Sequence, residues 1–211
     1  MSSDWSSDVC SSDLEAALSE SDEQSRIDSK LPPLRILGQA ATMFIIAEGP
    51  DGLYLIDQHA AHERVLYERL VSEEARGQVS SQALLEPETI SLPADAAAQL
   101  EEVLPTIKQL GIEAEVFGPN TFRVRALPSY LTAVAPSELL ADIATSFEAD
   151  APVDEELEDA LVRKICKRAA VKAGQVLSPE EMKQLVRDLE RTVNPRTCPH
   201  GRPTIIQIST E

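Results

Sequence analysis

Residues 53–70 read LYLIDQHAAHERVLYERL, and this stretch decides the fold because a strand leads directly into a helix. Its first four residues, Leu53–Ile56, form an apolar run that is typical of a short buried strand. The apolar positions that follow recur at helical spacing and predict a helix from about His59 to Arg76. Side chains in the first turns of this helix are therefore expected to lie close to the end of the strand.

The rest of the chain alternates between strand and helix patterns, which predicts an α/β (α+β) fold. Turn sequences at 49–52 and 118–120 predict two β-hairpins. Ser178, Pro179 and Glu181 form a capping box, which predicts a helix start. The predicted elements outside 53–76 are strands at 34–48, 84–92, 114–117, 122–126 and 204–208, and helices at 94–110, 137–147, 155–173 and 179–191.

The start of the first helix carries side chains of the kind that bind metal ions. His59 and Glu63 are four residues apart, so they share one helix face, and Asp57 at the strand end can point to the same place. Carboxylate, imidazole and thiolate together suit zinc, whereas carboxylate oxygens also suit manganese or magnesium. Most of the other soft ligands of the chain are Cys166, Cys198 and His200.

These residues also have simpler interpretations. His59 and Glu63 could form a surface pair one helical turn apart, which stabilises a helix by only a few tenths of a kcal/mol. Cys166 alone is typical of a small buried hydrophobe. Cys198 and His200 are harder to explain without a ligand, because the prolines and glycine around them can shape the loop so that both side chains lie on one side.

Three motifs, in the same order along the chain, resemble those of MutL-type DNA mismatch repair proteins. Residues 57–68, DQHAAHERVLYE, match the endonuclease motif of that family. Residues 166–168, CKR, are similar to the second motif, although Ile165 stands where the family usually has alanine. Residues 198–203, CPHGRP, match the third motif in full. The resemblance runs from about residue 34 to residue 211.

The resemblance implies a metal-dependent endonuclease that nicks one strand of duplex DNA and forms a homodimer. It implies that catalysis depends on the carboxylates of Asp57 and Glu63, together with His59. Cysteine-rich ligation favours a tightly held zinc, and turnover is expected to need manganese or magnesium at a more oxygen-rich position. The implied metal ligands are Asp57, His59, Glu63, Cys166, Cys198 and His200. The residues expected to support them without binding metal are Gln58, Glu68 and Arg202.

A competing interpretation is a non-catalytic dimeric scaffold that docks a sliding clamp and binds zinc only structurally. Loss of the Asp57 or Glu63 carboxylate would favour it, and both carboxylates are present. A zinc protease is a third alternative, but neither His-Glu-x-x-His nor His-x-x-Glu-His occurs. His62 could border the metal site, but an exposed helix residue is the favoured prediction.

The resemblance also implies two lobes, in which an inserted segment divides a dimerisation subdomain. The dimerisation subdomain would comprise 31–83 and 161–211, and 84–160 would form an outer regulatory subdomain. Residues 1–30 contain Ser-Ser-Asp three times and are otherwise polar and acidic, which predicts a non-native or disordered leader. We expect the reading frame to be truncated before this point, so that the family's ATPase domain is missing, ATP is not bound, and MutS is contacted only through the full-length protein.

Composition bounds the class of protein. The chain has 211 residues, of which 43% are hydrophobic and 26% are charged. No apolar run approaches the ~20 residues of a membrane-spanning helix, and no signal peptide is evident. Three scattered cysteines argue against a disulfide framework and favour a reducing cytoplasm.

The formal charge of −17 should repel the phosphate backbone of DNA, but the charge is unevenly distributed. Residues 160–211 contain ten Lys or Arg against five Asp or Glu. This basic stretch could be a solvated helix face or a patch that steers DNA towards the metal site. In both cases we expect the isolated domain to bind duplex DNA weakly and its partners to supply most of the affinity. The candidate steering residues are Arg163, Lys164, Lys167 and Arg168.

Residues 82–87 read QALLEP and fit the pattern Gln-x-x-Leu-x-Pro. This resembles the motif by which MutL proteins contact the sliding clamp of bacterial DNA polymerase. An extended peptide can place Gln82 in a polar notch and Leu85 in an apolar pocket, while Pro87 fixes the backbone. The alternative is that Leu84 and Leu85 are ordinary core residues of a strand.

Overall fold

The computed structural model of the protein describes residues 31–77, 79–131, 134–145, 155–172 and 174–209. The predicted leader at 1–30 lies outside the described residues. Within these ranges the strands are β1 (Arg35–Ala40), β2 (Phe44–Gly49), β3 (Gly52–Asp57), β4 (Ser81–Ser91), β5 (Glu113–Gly118), β6 (Thr121–Pro128) and β7 (Ile205–Ser209). The helices are α1 (Gln58–Ala75), α2 (Ala94–Gln109), α3 (Pro136–Ala144), α4 (Glu155–Ala169) and α5 (Pro179–Glu190).

The described elements form two antiparallel sheets with helices packed against them, so the predicted α/β class is confirmed. One sheet has the strand order β1-β2-β3-β7, and the other has the order β4-β6-β5. Both predicted hairpins are present, β2–β3 and β5–β6. The predicted capping box is also present, since the Ser178 hydroxyl accepts from the backbone N–H of Glu181 and the Glu181 carboxylate accepts from that of Ser178.

The prediction of one strand over 34–48 is wrong, because the chain turns back in the middle of it. β1 ends at Ala40 and β2 begins at Phe44, with a hydrogen bond from the Met43 N–H to the Ala40 carbonyl. Ala41 and Thr42 both have a φ of 51°, in the left-handed region that non-glycine residues rarely adopt. Turn prediction relies on Gly, Asn and Asp at such positions, so the sequence pattern gave no sign of this turn.

The helix predicted over 155–173 also ends earlier, at Ala169. The next residues leave the helix because α1 supplies partners for their backbone. The Nδ1 atom of His62 accepts from the N–H of Val171 at 3.0 Å, and the Nδ1 atom of His59 bonds the Val171 carbonyl at 2.9 Å. Side chains of α1 thus replace the helical hydrogen bonds that these groups would otherwise make.

Buried apolar residues form two clusters, and α1 contributes to both. The first cluster lies between the β1-β2-β3-β7 sheet and α5 and includes Ala61 from the N-terminal half of α1. The second lies among the β4-β6-β5 sheet, α2, α3 and α4, and includes Leu66 and Leu70 from further along α1. The predicted subdomain boundaries at 83/84 and 160/161 fall inside β4 and α4, and the division of the chain at those points stays a prediction.

No helix in the described ranges combines the length and the apolar character that crossing a membrane requires.

Candidate metal centre

The first turn of α1 is fixed by Asp57, the last residue of β3. Its Oδ1 atom accepts hydrogen bonds from the backbone N–H groups of His59 at 2.9 Å and Ala60 at 3.0 Å. Asp57 is therefore the N-cap of α1, a position at which Asp satisfies N–H groups that have no partner within the helix. Its backbone N–H donates to the Thr204 carbonyl at 2.9 Å, which brings the segment before β7 next to the start of α1.

Three residues from two distant parts of the sequence bring metal-ligand atoms together. Glu63, Cys198 and His200 each offer one such atom, and these atoms all lie within 4.8 Å of one another. Glu63 and Cys198 are buried, whereas His200 is exposed. His59 joins the group from the same face of α1, with its Nε2 atom 3.1 Å from Oε1 of Glu63. Three of the six predicted ligands therefore converge at one place, and a fourth, His59, contacts one of them.

The loop that carries Cys198 and His200 is held by its own backbone. The Cys198 N–H donates to the Arg202 carbonyl at 2.8 Å, and the Gly201 N–H donates to the Cys198 carbonyl at 2.9 Å. Gly201 has a φ of +80°, a conformation that glycine adopts without steric cost. The buried guanidinium of Arg64 donates to the Thr197 carbonyl at 2.6 Å and so attaches the loop to α1. Sequence analysis did not identify Arg64.

The carboxyl group of Glu63 is ionised although it is buried. Burial alone would raise its pKa, but the close approach of His59 and the charges of His200 and Arg202 outweigh it and lower the pKa to about 2. In turn, Glu63 raises the pKa of His59, against the effect of that residue's own burial. The nitrogen groups around Glu63 therefore stabilise its carboxylate in the charged form.

The Oε1 atom of Glu63 has the surroundings expected of a metal ligand. Oε1 is buried and has no hydrogen-bond partner in the described part of the chain, even though Nε2 of His59 lies 3.1 Å away. The distance is short but the alignment does not make a hydrogen bond, and both atoms have lone pairs that a cation between them would satisfy. An unpartnered buried carboxylate oxygen is costly, so this arrangement fits a metal ion. One carboxylate, two imidazoles and one thiolate are a donor set that zinc accepts.

The tautomer of His59 agrees with this interpretation. Its Nδ1 atom lies 2.9 Å from the Val171 carbonyl, which can only accept, so Nδ1 carries the proton. In the neutral ring Nε2 then has a free lone pair that faces Glu63. Histidines that bind metals usually donate their other ring N–H to a carbonyl or carboxylate in this way.

His62 is half-buried, and its prediction as an exposed residue is wrong. Burial, followed by the neighbouring charge of His59, lowers the pKa of its imidazole. Because its Nδ1 atom accepts from the Val171 N–H, its role in the structure is to bind the segment after α4.

Two further predicted ligands, Asp57 and Cys166, are, like His59, not among the three residues whose ligand atoms all converge in the described part of the chain. Asp57 is half-buried and uses Oδ1 as the helix cap. Cys166 is buried in the second apolar cluster, where burial, and next the charge of Glu63, raise the pKa of its thiol. Their roles as ligands stay predictions.

The three predicted supporting residues occupy different places. Arg202 contacts the cluster directly, since its Nη2 atom donates to Oε2 of Glu63 at 3.0 Å. Glu68 lies further along α1 and accepts from the backbone N–H groups of Val193 and Asn194, at 2.6 and 3.1 Å. It therefore anchors the chain after α5 and has no contact of this kind with the ligands.

Gln58 is fully buried and lies at the centre of an amide network. Its Nε2 donates to the carbonyls of Thr42 at 3.0 Å and Gln175 at 3.1 Å, and its Oε1 accepts from Gln39 at 2.6 Å. Gln39 also donates to the Gln175 carbonyl at 2.8 Å. This network binds the start of α1 to β1, to the β1–β2 turn and to the segment before α5, and its other amide, Gln39, was not predicted as a site residue.

The basic residues of α4 are only partly available to DNA. Arg163 pairs with Asp159, and Arg168 pairs with Glu138 and with Asp142. Lys167 is exposed, and burial lowers the pKa of Lys164. Steering of DNA by this helix stays a prediction. Fewer of its positive charges are available to DNA than the sequence indicates, because two of its arginines form ion pairs within the protein.

The segment 82–87 lies in β4, at an edge of its sheet. Ala83 pairs with Ala126 and Glu88 pairs with Val124, so the four residues between them bulge out opposite Arg125 alone. Leu85 in this bulge is fully exposed, whereas Leu84 packs against the second apolar cluster. The interpretation of both leucines as core residues is therefore wrong for Leu85.

Comparisons with known proteins agree on one family. A family model described as the MutL C-terminal dimerisation domain matches residues 37–177. The chain is 43% identical over 184 residues to the DNA mismatch repair protein MutL of Methanoculleus marisnigri, covering 85% of this chain and 31% of that protein. It is 39% identical over 193 residues to the MutL of Exiguobacterium sibiricum, covering 90% and 32%. It is 41% identical over 194 residues to the MutL of Halobacterium salinarum, covering 90% and 29%. The chain thus spans about a third of the length of these curated relatives.

Proposed function

The chain belongs to the MutL C-terminal dimerisation domain family, and on this premise we propose that it is a metal-dependent endonuclease domain that nicks one strand of duplex DNA during mismatch repair. The observation that carries the proposal is the unpartnered Oε1 atom of Glu63, at the centre of a cluster with Cys198, His200 and His59. Burying an ionised carboxylate costs free energy, and a cation bound at this place would offset that cost.

The residues of the site would have different roles. His59, Glu63, Cys198 and His200 would hold the cation, most simply zinc, while Asp57 keeps the first turn of α1 in place and presents a carboxylate at its edge. A divalent cation bound there would neutralise charge on the phosphoryl oxygens and activate a water molecule. Manganese or magnesium is the expected ion for turnover, since carboxylate oxygens suit those ions.

Metal analysis combined with a nicking assay tests this proposal. We expect purified protein to contain zinc and to convert supercoiled plasmid to the open circular form when manganese is added. Replacement of both Cys198 and His200 by alanine should sharply lower the zinc content, because it removes two of the three converging ligands. Unchanged zinc in that double variant would contradict the divided site. Zinc without nicking in the wild type would favour the scaffold alternative, in which the metal is only structural.

We further propose that the domain forms a homodimer through the face of the β1-β2-β3-β7 sheet that is opposite α5. Paired residues of adjacent antiparallel strands lie on one face, and the pairs Leu53–Ile208 and Leu55–Ile206 place four apolar side chains together there. Leu53, Ile206 and Ile208 are exposed, and an apolar patch of this kind is typical of an interaction surface. The family description as a dimerisation domain supports a second copy as the occupant.

We propose that the segment 82–87, which contains the bulge of β4, is the docking site for a DNA sliding clamp. Gln82 and Leu85 of the motif are exposed in this edge segment, where a partner's pocket can receive them. Docking would compensate for weak direct binding to DNA, because a clamp that encircles DNA holds the nuclease at a high effective concentration.

A further inference from the structure

Arg202 lies over the buried part of the metal cluster and reaches solvent. Its Nη2 atom donates to Oε2 of Glu63 at 3.0 Å. The arginine is nevertheless 53% exposed, whereas Glu63 is fully buried. Its guanidinium therefore connects the buried ligands to the surface from which a substrate would approach.

The carboxylate partner of Arg202 also contacts other side chains. The two oxygens of Glu63 lie against His59 and His200 as well as Arg202, so the carboxylate does not face the guanidinium alone. In the described part of the chain, Glu63 is the only carboxylate within ion-pair distance of Arg202. By contrast, Arg168 on α4 is paired with two acidic residues.

The donor geometry matches a phosphate group. A guanidinium has five N–H donors in a planar fork, and the hydrogen bond to Glu63 uses one of them. The remaining donors can bind two oxygens of a phosphodiester side by side, which an ammonium group cannot do. The bond to Glu63 fixes the direction of the fork, so a phosphate that it binds would lie next to the metal ligands.

We propose that Arg202 binds the non-bridging oxygens of a DNA phosphodiester at the metal cluster. This inference rests on the proposed nuclease function and adds to it the residue that positions the strand. It also accounts for how a chain with a formal charge of −17 can bring a phosphate to the site, because one exposed guanidinium, fixed by its bond to Glu63, lies where the phosphate must bind.

The salt dependence of DNA binding tests the proposal without requiring nicking. Fluorescence anisotropy with a labelled duplex, in calcium instead of manganese, gives the slope of log K against log salt concentration for the full chain. Each phosphate contact contributes about 0.9 to this slope, so Arg202→Gln should lower it by about 1. Arg125→Gln is the matched control, since Arg125 is 48% exposed, is ion-paired with Glu115 and lies in the other sheet. It makes the same change in net charge and should leave the slope unchanged.

His200→Ala is a second control, because it disturbs the metal site by removing a ligand but keeps Arg202. A slope that is lost only in Arg202→Gln therefore reports contact with phosphate and not a general disturbance of the site. An equal loss of slope in His200→Ala, or an unchanged slope in Arg202→Gln, would overturn the inference. Arg202→Lys should keep the slope but lower kcat, because the charge remains while the fork is lost. If Arg202→Gln lowers the slope as expected but the wild type does not nick plasmid, the inference is supported and the nuclease function is contradicted. If the wild type nicks plasmid but Arg202→Gln leaves the slope unchanged, the nuclease function is supported and the inference is contradicted.

Discussion

At the residue scale, the site depends on carboxylates that differ in their surroundings. Glu63 is fully buried and keeps its charge because two imidazoles and a guanidinium lie against it. Asp57 is half-buried and shares its Oδ1 atom between two backbone N–H groups, so its structural role is visible in the fold alone. Removing either side chain would therefore have different consequences, and a suitable pair of substitutions can separate the structural contribution of Asp57 from its chemical one.

Asp57→Asn should abolish most nicking while the fold persists. Asn is as good an N-cap as Asp, so the bonds to the His59 and Ala60 N–H groups can remain. The amide lacks the charge that a hard cation needs, and we expect nicking to fall by at least about 100-fold. Thermal unfolding and a plasmid nicking assay measure the two effects.

Asp57→Ala is the comparison for the cap. It removes the charge and the cap together, so it should also lower the free energy of unfolding by about 0.5–2 kcal/mol relative to Asp57→Asn. Nicking by Asp57→Asn within a few-fold of the wild type would favour the non-catalytic scaffold.

At the element scale, β4 is divided into parts with different roles. Ser81–Ala83 and Glu88–Ser91 pair with β6, whereas the residues between them leave the ladder. A bulge of four residues opposite one exposes backbone and side chains that a regular edge strand would keep in register. The bulge thus presents Leu85 to solvent while Leu84 remains packed on the second apolar cluster.

Gln82→Ala combined with Leu85→Ala should abolish stimulation of nicking by a loaded clamp and leave basal nicking intact. Neither side chain belongs to the metal cluster, and both are exposed, so stability should change by less than about 0.5 kcal/mol. Leu84→Ala is the matched control, because it should lower stability but keep the stimulation. Stimulation of the double variant equal to that of the wild type would mean that recruitment uses another surface.

The elements and the motif residues differ in how far the sequence could predict them. Local patterns were enough for α1, for the capping box of α5 and for the two hairpins with glycine turns, because these depend on neighbouring residues. The turn at Ala41 and Thr42 was missed because neither residue type favours its φ. The end of α4 was missed for another reason, since His59 and His62 reach Val171 from 112 and 109 residues away in sequence.

The candidate site shows the same limit. Spacing within α1 predicted that His59 and Glu63 share a face, and the resemblance to a family predicted that Cys198 and His200 lie beside them. Neither source could predict that Arg64 attaches the loop to α1, because an arginine inside a helix is usually solvated. The half-buried position of His62 also depends on tertiary contacts that no spacing rule contains.

At the scale of the whole molecule, net charge and apolar surface have opposite effects on association. The formal charge of −17 opposes DNA binding and also association between copies of the chain, so a dimer must bury enough apolar area to overcome repulsion. The face with Leu53, Ile206 and Ile208 offers such an area. The metal cluster lies at the other end of β3, beside Asp57, so a dimer through this face is compatible with an accessible Arg202 only if the partner stops short of that end.

Ile208→Glu should convert the dimer to a monomer. In a symmetric dimer one substitution places two carboxylates in the same interface, and each would lose hydration without gaining a partner. Val116→Glu is the matched control, since Val116 and Ile208 are both 50% exposed on strands but Val116 lies in the other sheet. Sedimentation equilibrium should give a dimer mass for the wild type and for Val116→Glu, and a monomer mass for Ile208→Glu. A dimeric Ile208→Glu variant would contradict this face as the interface, and equal dissociation by Val116→Glu would mean that added charge alone separates the copies.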